Sequence, residues 1–214
     1  DEVVFRALNG SLAWGSVWQG FWAIANWRPF DLVSGVVVIM LTMQCLRGDD
    51  GGRFVHERLA SLALFGLVIA AIKIFAFEIV IGEVLNYDRV SPSRVLEGAV
   101  FLSKKITWVK AKDASGSSFP GDHAFVLSMM MAFVWIHGRR RMGLLALVCF
   151  FPFYLPRLVG GAHWATDVLV GGGALTLIGV GLWFGSPLHG AMVGLLMRWT
   201  PRPLALMARG LGFK

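Results

Sequence analysis

Charge is scarce in this chain, with only 15% of its 214 residues being Asp, Glu, Lys or Arg against 56% hydrophobic ones. Soluble domains carry roughly 25% charged residues, so an ordinary water-soluble domain is excluded. Cysteine is nearly missing as well: Cys45 and Cys149 are the two in the chain, and both fall inside apolar runs rather than in loops. That excludes a disulfide framework and gives no metal motif. Acidic residues number 13 against 20 basic ones, for a net charge of +7. The basic excess forms no stripe interleaved with aromatics, so a nucleic-acid partner is excluded. No charged-then-apolar leader is visible at Asp1, and no internal repeat or low-complexity tract stands out.

What the chain does have is apolar runs, at Phe30–Leu46, Leu59–Leu85, Ala124–His137, Met142–Leu158 and Thr166–Phe184. A bilayer-crossing helix needs about 20 apolar residues, so the shorter runs must borrow from their flanks. The predicted fold is an all-α polytopic membrane helix bundle with five spans. Between the runs lie basic blocks: Arg47, Arg53, His56 and Arg58; Arg139, Arg140 and Arg141; and Arg198, Arg202, Arg209 and Lys214. Every second connection is arginine-rich, which assigns those three to the cytoplasmic face. Connections 86–123 and 158–167 then share the outer face. The alternation also puts Asp1 outside and leads to the expectation of a sixth span upstream. The expected organisation is an interfacial aromatic segment over 1–29, a membrane domain over 30–185 and a basic cytoplasmic tail over 186–214. Trp14, Trp18, Trp22 and Trp27 recur at near-helical spacing in the first of these, as in a helix lying at headgroup level.

The two outer connections hold the residues that carry chemistry. His163 and Asp167 are four apart, so on a helical turn the carboxylate faces the imidazole and can hold one ring nitrogen while the other attacks. Arg157, six residues earlier, offers a guanidinium fork for phosphate oxygens. His123 arrives from the other connection with Asp122 beside it, placed to donate a proton. Gly121, Gly160 and Gly161 let backbone N–H groups approach an anion. The first outer connection is basic against the usual tendency, and Arg89 and Lys112 are its better candidates for a phosphate; Lys104 and Lys105 read as a solvated face. His56, His137 and His189 read as packing or hydrogen-bonding residues. Lys73 and Glu78 lie inside an apolar run, where a charge costs roughly 2.5–3.5 kcal/mol and needs a reason: a lateral substrate path, an ion pair, or reach to an interface.

These residues resemble the type 2 phosphatidic acid phosphatase superfamily, whose second and third motifs read Pro-Ser-Gly-His and Ser-Arg, five residues, His, three residues, Asp. Pro120 and His123 match the second motif, and Arg157, His163 and Asp167 match the third at its spacing. Gly121 and Asp122 replace Ser-Gly, and Pro156 replaces the serine before the arginine. The first motif, Lys, six residues, Arg-Pro, is absent in that form, with Arg89-Val90-Ser91-Pro92 as the nearest stand-in. Lys112-Asp113-Ala114-Ser115, Ser118-Phe119-Pro120-Gly121-Asp122-His123 and Gly160 through Asp167 are similar to the undecaprenyl-diphosphate-dependent lipid A phosphotransferase branch, a likeness running from about Asn26 to Trp183.

The resemblance implies an enzyme of a bacterial, Gram-negative inner membrane with its active site on the periplasmic side. Its donor would be undecaprenyl diphosphate and its acceptor lipid A, with no cofactor and no metal. It implies His163 as the nucleophile that becomes a phosphohistidine, Asp167 as its support and His123 as proton donor and acceptor. Arg157, Arg89, Lys112 and Gly121 would be the phosphate ligands, and Asp122 a tuning residue. Two readings compete: a phosphatase that lets water take the phosphate, and a lipid flippase or transporter, which would need no nucleophile.

Overall fold

The computed structural model describes residues 1–48 and 54–199. Each of the five predicted apolar runs is a helix. Three short elements come first: α1 (Glu2–Gly10), a 3₁₀ turn (Ser11–Trp14) and α2 (Ser16–Ala25). The membrane bundle begins with α3 (Arg28–Arg47). Pro29 sits in its first turn, where no intrahelical N–H is needed, and Gly48 closes it at φ 56°. After α4 (Val55–Ile72) the helix continues through Lys73–Val84 in wider, π-type winding, making 30 helical residues in all. The outer connection carries two single-turn helices, α5 (Pro92–Val95) and α6 (Leu102–Lys105). Then come α7 (Asp122–His137) and α8 (Arg140–Val159), followed by a π-type stretch (Asp167–Gly172) running into α9 (Gly173–Phe184), and finally α10 (Leu188–Trp199). No strand occurs among the described residues; Trp27 and Ala111 form an isolated bridge.

Four of these helices are long and apolar enough to cross a membrane, and α7 is a shorter apolar one. At 1.5 Å per residue, α7 is about 24 Å long, below the roughly 30 Å of a hydrocarbon core. It can be short because it is the innermost helix, packed on α3, α8 and α9. Phe125, Met129 and Phe133 of α7 are fully buried and meet Phe65 of α4 and Trp183 of α9. Lipid is as apolar as these side chains, so association depends on close fit. Glycine supplies that fit on the α9 side. A Cβ on Gly171 would fall 2.8 Å from Pro120 Cβ, on Gly172 2.9 Å from Ala124 Cβ, and on Gly179 2.8 Å from Met129 Cε. This contact draws Asp167 against the start of α7. Outward positions are apolar instead: Val36, Ile39 and Met40 on α3, Leu144, Val148 and Phe151 on α8, and Leu177, Ile178 and Leu182 on α9. The chain is an all-α polytopic membrane protein.

The aromatic segment differs from the single helix its Trp spacing suggests. Gly15, at φ 138°, breaks it, and its tryptophans part company. Trp22 is buried with Leu102, Val109 and Val159, whereas Trp14 is 77% exposed. In the last segment Leu188–Trp199 is helix, with Val193 of α10 in the same cluster as Phe65 and Trp183. Arg53, Arg202, Arg209 and Lys214 lie outside the described residues. The connectivity of the bundle puts Arg47, Arg58 and Arg139 to Arg141 at one end and connections 86–123 and 158–167 at the other.

Candidate active site

The site is assembled by hydrogen bonds between the two outer connections. Ser93 N–H donates to Gly161 O at 3.3 Å, and Gly121 N–H to Asp167 O at 2.9 Å. Where α8 ends, Gly161 turns the chain at φ +83°, which L side chains avoid; a Cβ there would also meet Phe5 and Ser93. The N–H groups of Ala162 and His163 then close back on Arg157 O, at 2.9 and 3.3 Å.

This turn presents His163, 5% exposed. Its Nδ1 lies 2.7 Å from the carbonyl oxygen of Ser118. A carbonyl only accepts, so Nδ1 carries the proton, and in the neutral ring the lone pair is then on Nε2. Ser118 is itself fixed, donating from N–H (2.7 Å) and Oγ (3.0 Å) to Arg89 O. The expected partner, Asp167, is within ion-pair distance, its Oδ2 3.8 Å from Nδ1. The approach is longer than a hydrogen bond because His163 sits in a bend ahead of the helix that starts at Ala165. Fully buried Asp167 instead braces the turn, accepting from Trp164 N–H at 2.7 Å through Oδ2 and from Arg89 Nη1 at 2.9 Å through Oδ1.

A second constellation forms around His123. Asp122 Oδ1 accepts from the backbone N–H of His123 at 2.7 Å and lies 2.9 Å from its Nδ1. Across the ring, Nε2 is 3.7 Å from Asp31 Oδ2. Asp122 and His123 precede the apolar stretch that starts at Ala124. Hydrogen bonding to Asp122 first, then to Asp31, pushes the His123 pKa up to about 9 against the opposing effect of burial. The ring therefore stands ready as an acid at neutral pH.

Asp31 was not anticipated from sequence. It sits on the first turn of α3 and grips Arg157, whose Nη2 donates to both carboxylate oxygens at 2.7 Å. Arg157 is 2% exposed, and its Nη1 donates to Asn26 O at 3.1 Å. Asn26, buried too, ties its Nδ2 to Pro156 O at 2.6 Å. A Phe-Asp pair opening an apolar run has no signal at the level of spacing, and Asp31 is 126 residues from Arg157.

Other predicted phosphate ligands are committed elsewhere. Arg89 donates to Asp167, to Thr166 Oγ1 (2.6 Å) and to Asp1 Oδ2 (2.8 Å), with its guanidinium 4.8 Å from the Trp164 ring centroid. Gly121 gives its N–H to Asp167 O, so it offers no donor to an anion. It is needed for close approach, since a Cβ would lie 3.0 Å from that oxygen and 3.2 Å from Tyr154 Oη. Lys112 lines a cavity of about 370 Å³ together with His163, Ser115, Ser117, Asp122 and Lys73.

Among curated proteins, the lipid A 1-diphosphate synthase of Escherichia coli strain K12 is 32% identical over 182 residues, covering 84% of this chain and 73% of that protein. The chain belongs to the lipid A 1-diphosphate synthase family. No family profile matches it, and no solved structure matches it. In this member of the lipid A 1-diphosphate synthase family, Lys73 comes from the apolar run yet lines the cavity, its Nζ 3.9 Å from Asp122 Oδ2. Of the three explanations open for that lysine, the structure supplies an ion pair at the site. Glu78 lines the same cavity.

Proposed function

We propose that this protein is an integral membrane phosphotransferase that moves the terminal phosphate of undecaprenyl diphosphate to lipid A, leaving undecaprenyl phosphate and a lipid A diphosphate. The observation that carries the reading is His163: buried, with Nδ1 bonded to a carbonyl and Nε2 free on a cavity lined by two lysines. The named activity of the E. coli relative supports lipid A as the acceptor.

In the first step Nε2 of His163 attacks the terminal phosphorus. An N–P bond forms as the bond from phosphorus to the bridging oxygen breaks, and His123 gives its proton to the departing lipid phosphate. In the second step a phosphate oxygen of lipid A attacks the phosphohistidine. The N–P bond breaks, the acceptor's proton returns to His123, and His163 regains its lone pair. Ser118 O accepts from Nδ1–H and stabilises the positive charge that the ring gains, with Asp167 close behind. Lys112 and Lys73 neutralise charge on the phosphoryl group in flight, where electrostatic positioning supplies most of the rate. Arg157 acts from behind through Asp31. The reading places the site on the periplasmic face of a bacterial inner membrane.

Purified protein given donor labelled in its terminal phosphate, with and without lipid A, tests this. Label passing to lipid A with little free phosphate is expected. Free phosphate released at the same rate with or without lipid A would make the protein a phosphatase. No loss of label from the donor would leave the transporter reading.

A further inference from the structure

Two cavities meet at the site, and one ion pair stands where they join. The polar one opens on His163, Lys112, Ser115 and Ser117. The other, about 310 Å³, opens on His123 and Asp31 and is floored by Val38, Val126, Leu127 and Met130. Lys73 and Asp122 line both. The apolar floor continues as a closely packed crevice of about 20 Å³ between α3, α7 and α8, where Val38, Leu127 and Met130 are joined by Leu41, Val134 and Cys149, so a chain leaving the larger cavity follows this seam along the bundle. From His123 to Val134, α7 rises about 16 Å. An apolar track thus starts at an imidazolium and an ammonium and runs down into the bundle.

We propose that this track is the binding site for the apolar chain of the phosphate donor, laid along α7 between α3 and α8 with its phosphates at Lys73. The proposal rests on the phosphotransferase reading and assigns its two substrates to opposite sides of the Lys73–Asp122 pair. Charge complementarity argues for this occupant: a lipid diphosphate brings anionic oxygens to one end of an apolar chain, and the track offers cations at one end of an apolar floor. It also gives the apolar-run lysine its reason. Lys73 is where the wider winding begins, and π-type turns recur at functional sites. The phosphate that leaves with the chain then lies by His123, its proton donor, and the terminal phosphate reaches His163. The polar cavity remains for the sugar-phosphate head of the acceptor.

The test compares a long donor, undecaprenyl diphosphate, with a short one, dimethylallyl diphosphate, whose single isoprene unit ends before Leu127, on the full chain in detergent. Leu127→Trp, which fills the track one turn below His123, is expected to raise KM for the long donor about tenfold, as for the loss of two or so buried methylenes, and to leave dimethylallyl diphosphate within about twofold. Lys73→Met is expected to raise KM for both. Leu127→Trp affecting both donors equally, or neither, would overturn the track. Should the bulkier side chain prevent folding, Leu127→Ala with Met130→Ala widens the track instead; an unchanged long-to-short ratio of kcat/KM there would overturn it equally. Wild-type protein that takes phosphate from neither donor would sink the phosphotransferase reading itself, an outcome separate from these.

Discussion

Helix α7 begins with one histidine and ends with another, and the two meet different company. At its start His123 lies between the carboxylates of Asp122 and Asp31, at 2.9 and 3.7 Å, beside a lined cavity. At its end His137 meets Ser61 Oγ through Nε2 and Phe133 O through Nδ1, both at 3.3 Å, and His189 Nε2 reaches the same hydroxyl at 2.9 Å. Ser61 is 1% exposed, and the rings stack among Phe133, Phe184 and Trp183. An imidazole against carboxylates is biased toward carrying a proton and releasing it. One that shares a hydroxyl inside an aromatic cluster is a hydrogen-bonded packing element. The basic end of the bundle reads as architecture and the other end as chemistry.

The sharpest way to break that contrast is to remove one histidine at a time. His163→Ala is expected to lower phosphoryl transfer by about four to six orders of magnitude, as when an activated nucleophile is lost, measured by release of label from the donor. His123→Ala should cost about two to four orders, with the phosphohistidine formed slowly rather than not at all. Wild-type turnover in either variant would refute the assigned roles. Asp31→Asn leaves the Arg157 guanidinium buried against a neutral partner. It should lower unfolding stability by about 3 kcal/mol, the low end for a broken buried pair because Asp31 is partly exposed, as read from thermal denaturation in detergent.

The pH dependence sharpens the comparison further. As the acid, His123 must be protonated, so the rate should hold through neutrality and fall as pH rises past about 9. Asp122→Asn removes the leading cause of that elevation and should move the alkaline limb down by about one unit or more; an unmoved limb would assign it to another group. At the other end Ser61→Ala should cost only about 1 kcal/mol of stability and leave transfer rates within about twofold. A large rate loss there would erase the distinction between the two ends.

Much of this organisation is legible in the chain as written. Apolar runs bounded by arginine blocks give the spans, because lipid forces every backbone group into helical hydrogen bonds wherever the run is long enough. The alternation of basic connections gathers 86–123 and 158–167 at one end, where His163 and Ser118 meet. Spacing gave the right pair but not its geometry. His163 and Asp167 fall on either side of a helix start, so the carboxylate hydrogen-bonds Trp164 N–H and Arg89 and meets the imidazole only at ion-pair distance. Arg89 and Gly121 look like anion ligands by residue type, but Arg89 donates to Asp167, Thr166 and Asp1, and Gly121 gives its N–H to Asp167 O.

The sequence by itself determined that the chain crosses a membrane as a helix bundle and which connections bring the candidate site residues to one end, because hydropathy and charge act locally along the chain. Only the tertiary structure decided what each charged group faces. Asp31 reaches Arg157 across 126 positions, Ser118 supplies a carbonyl that no side-chain pattern announces, and Lys73 turns from an apolar run into the cavity. The bond from Gly121 N–H to Asp167 O likewise sits where glycines let α9 settle against α7, and close approach is a property of two surfaces that neither segment encodes alone.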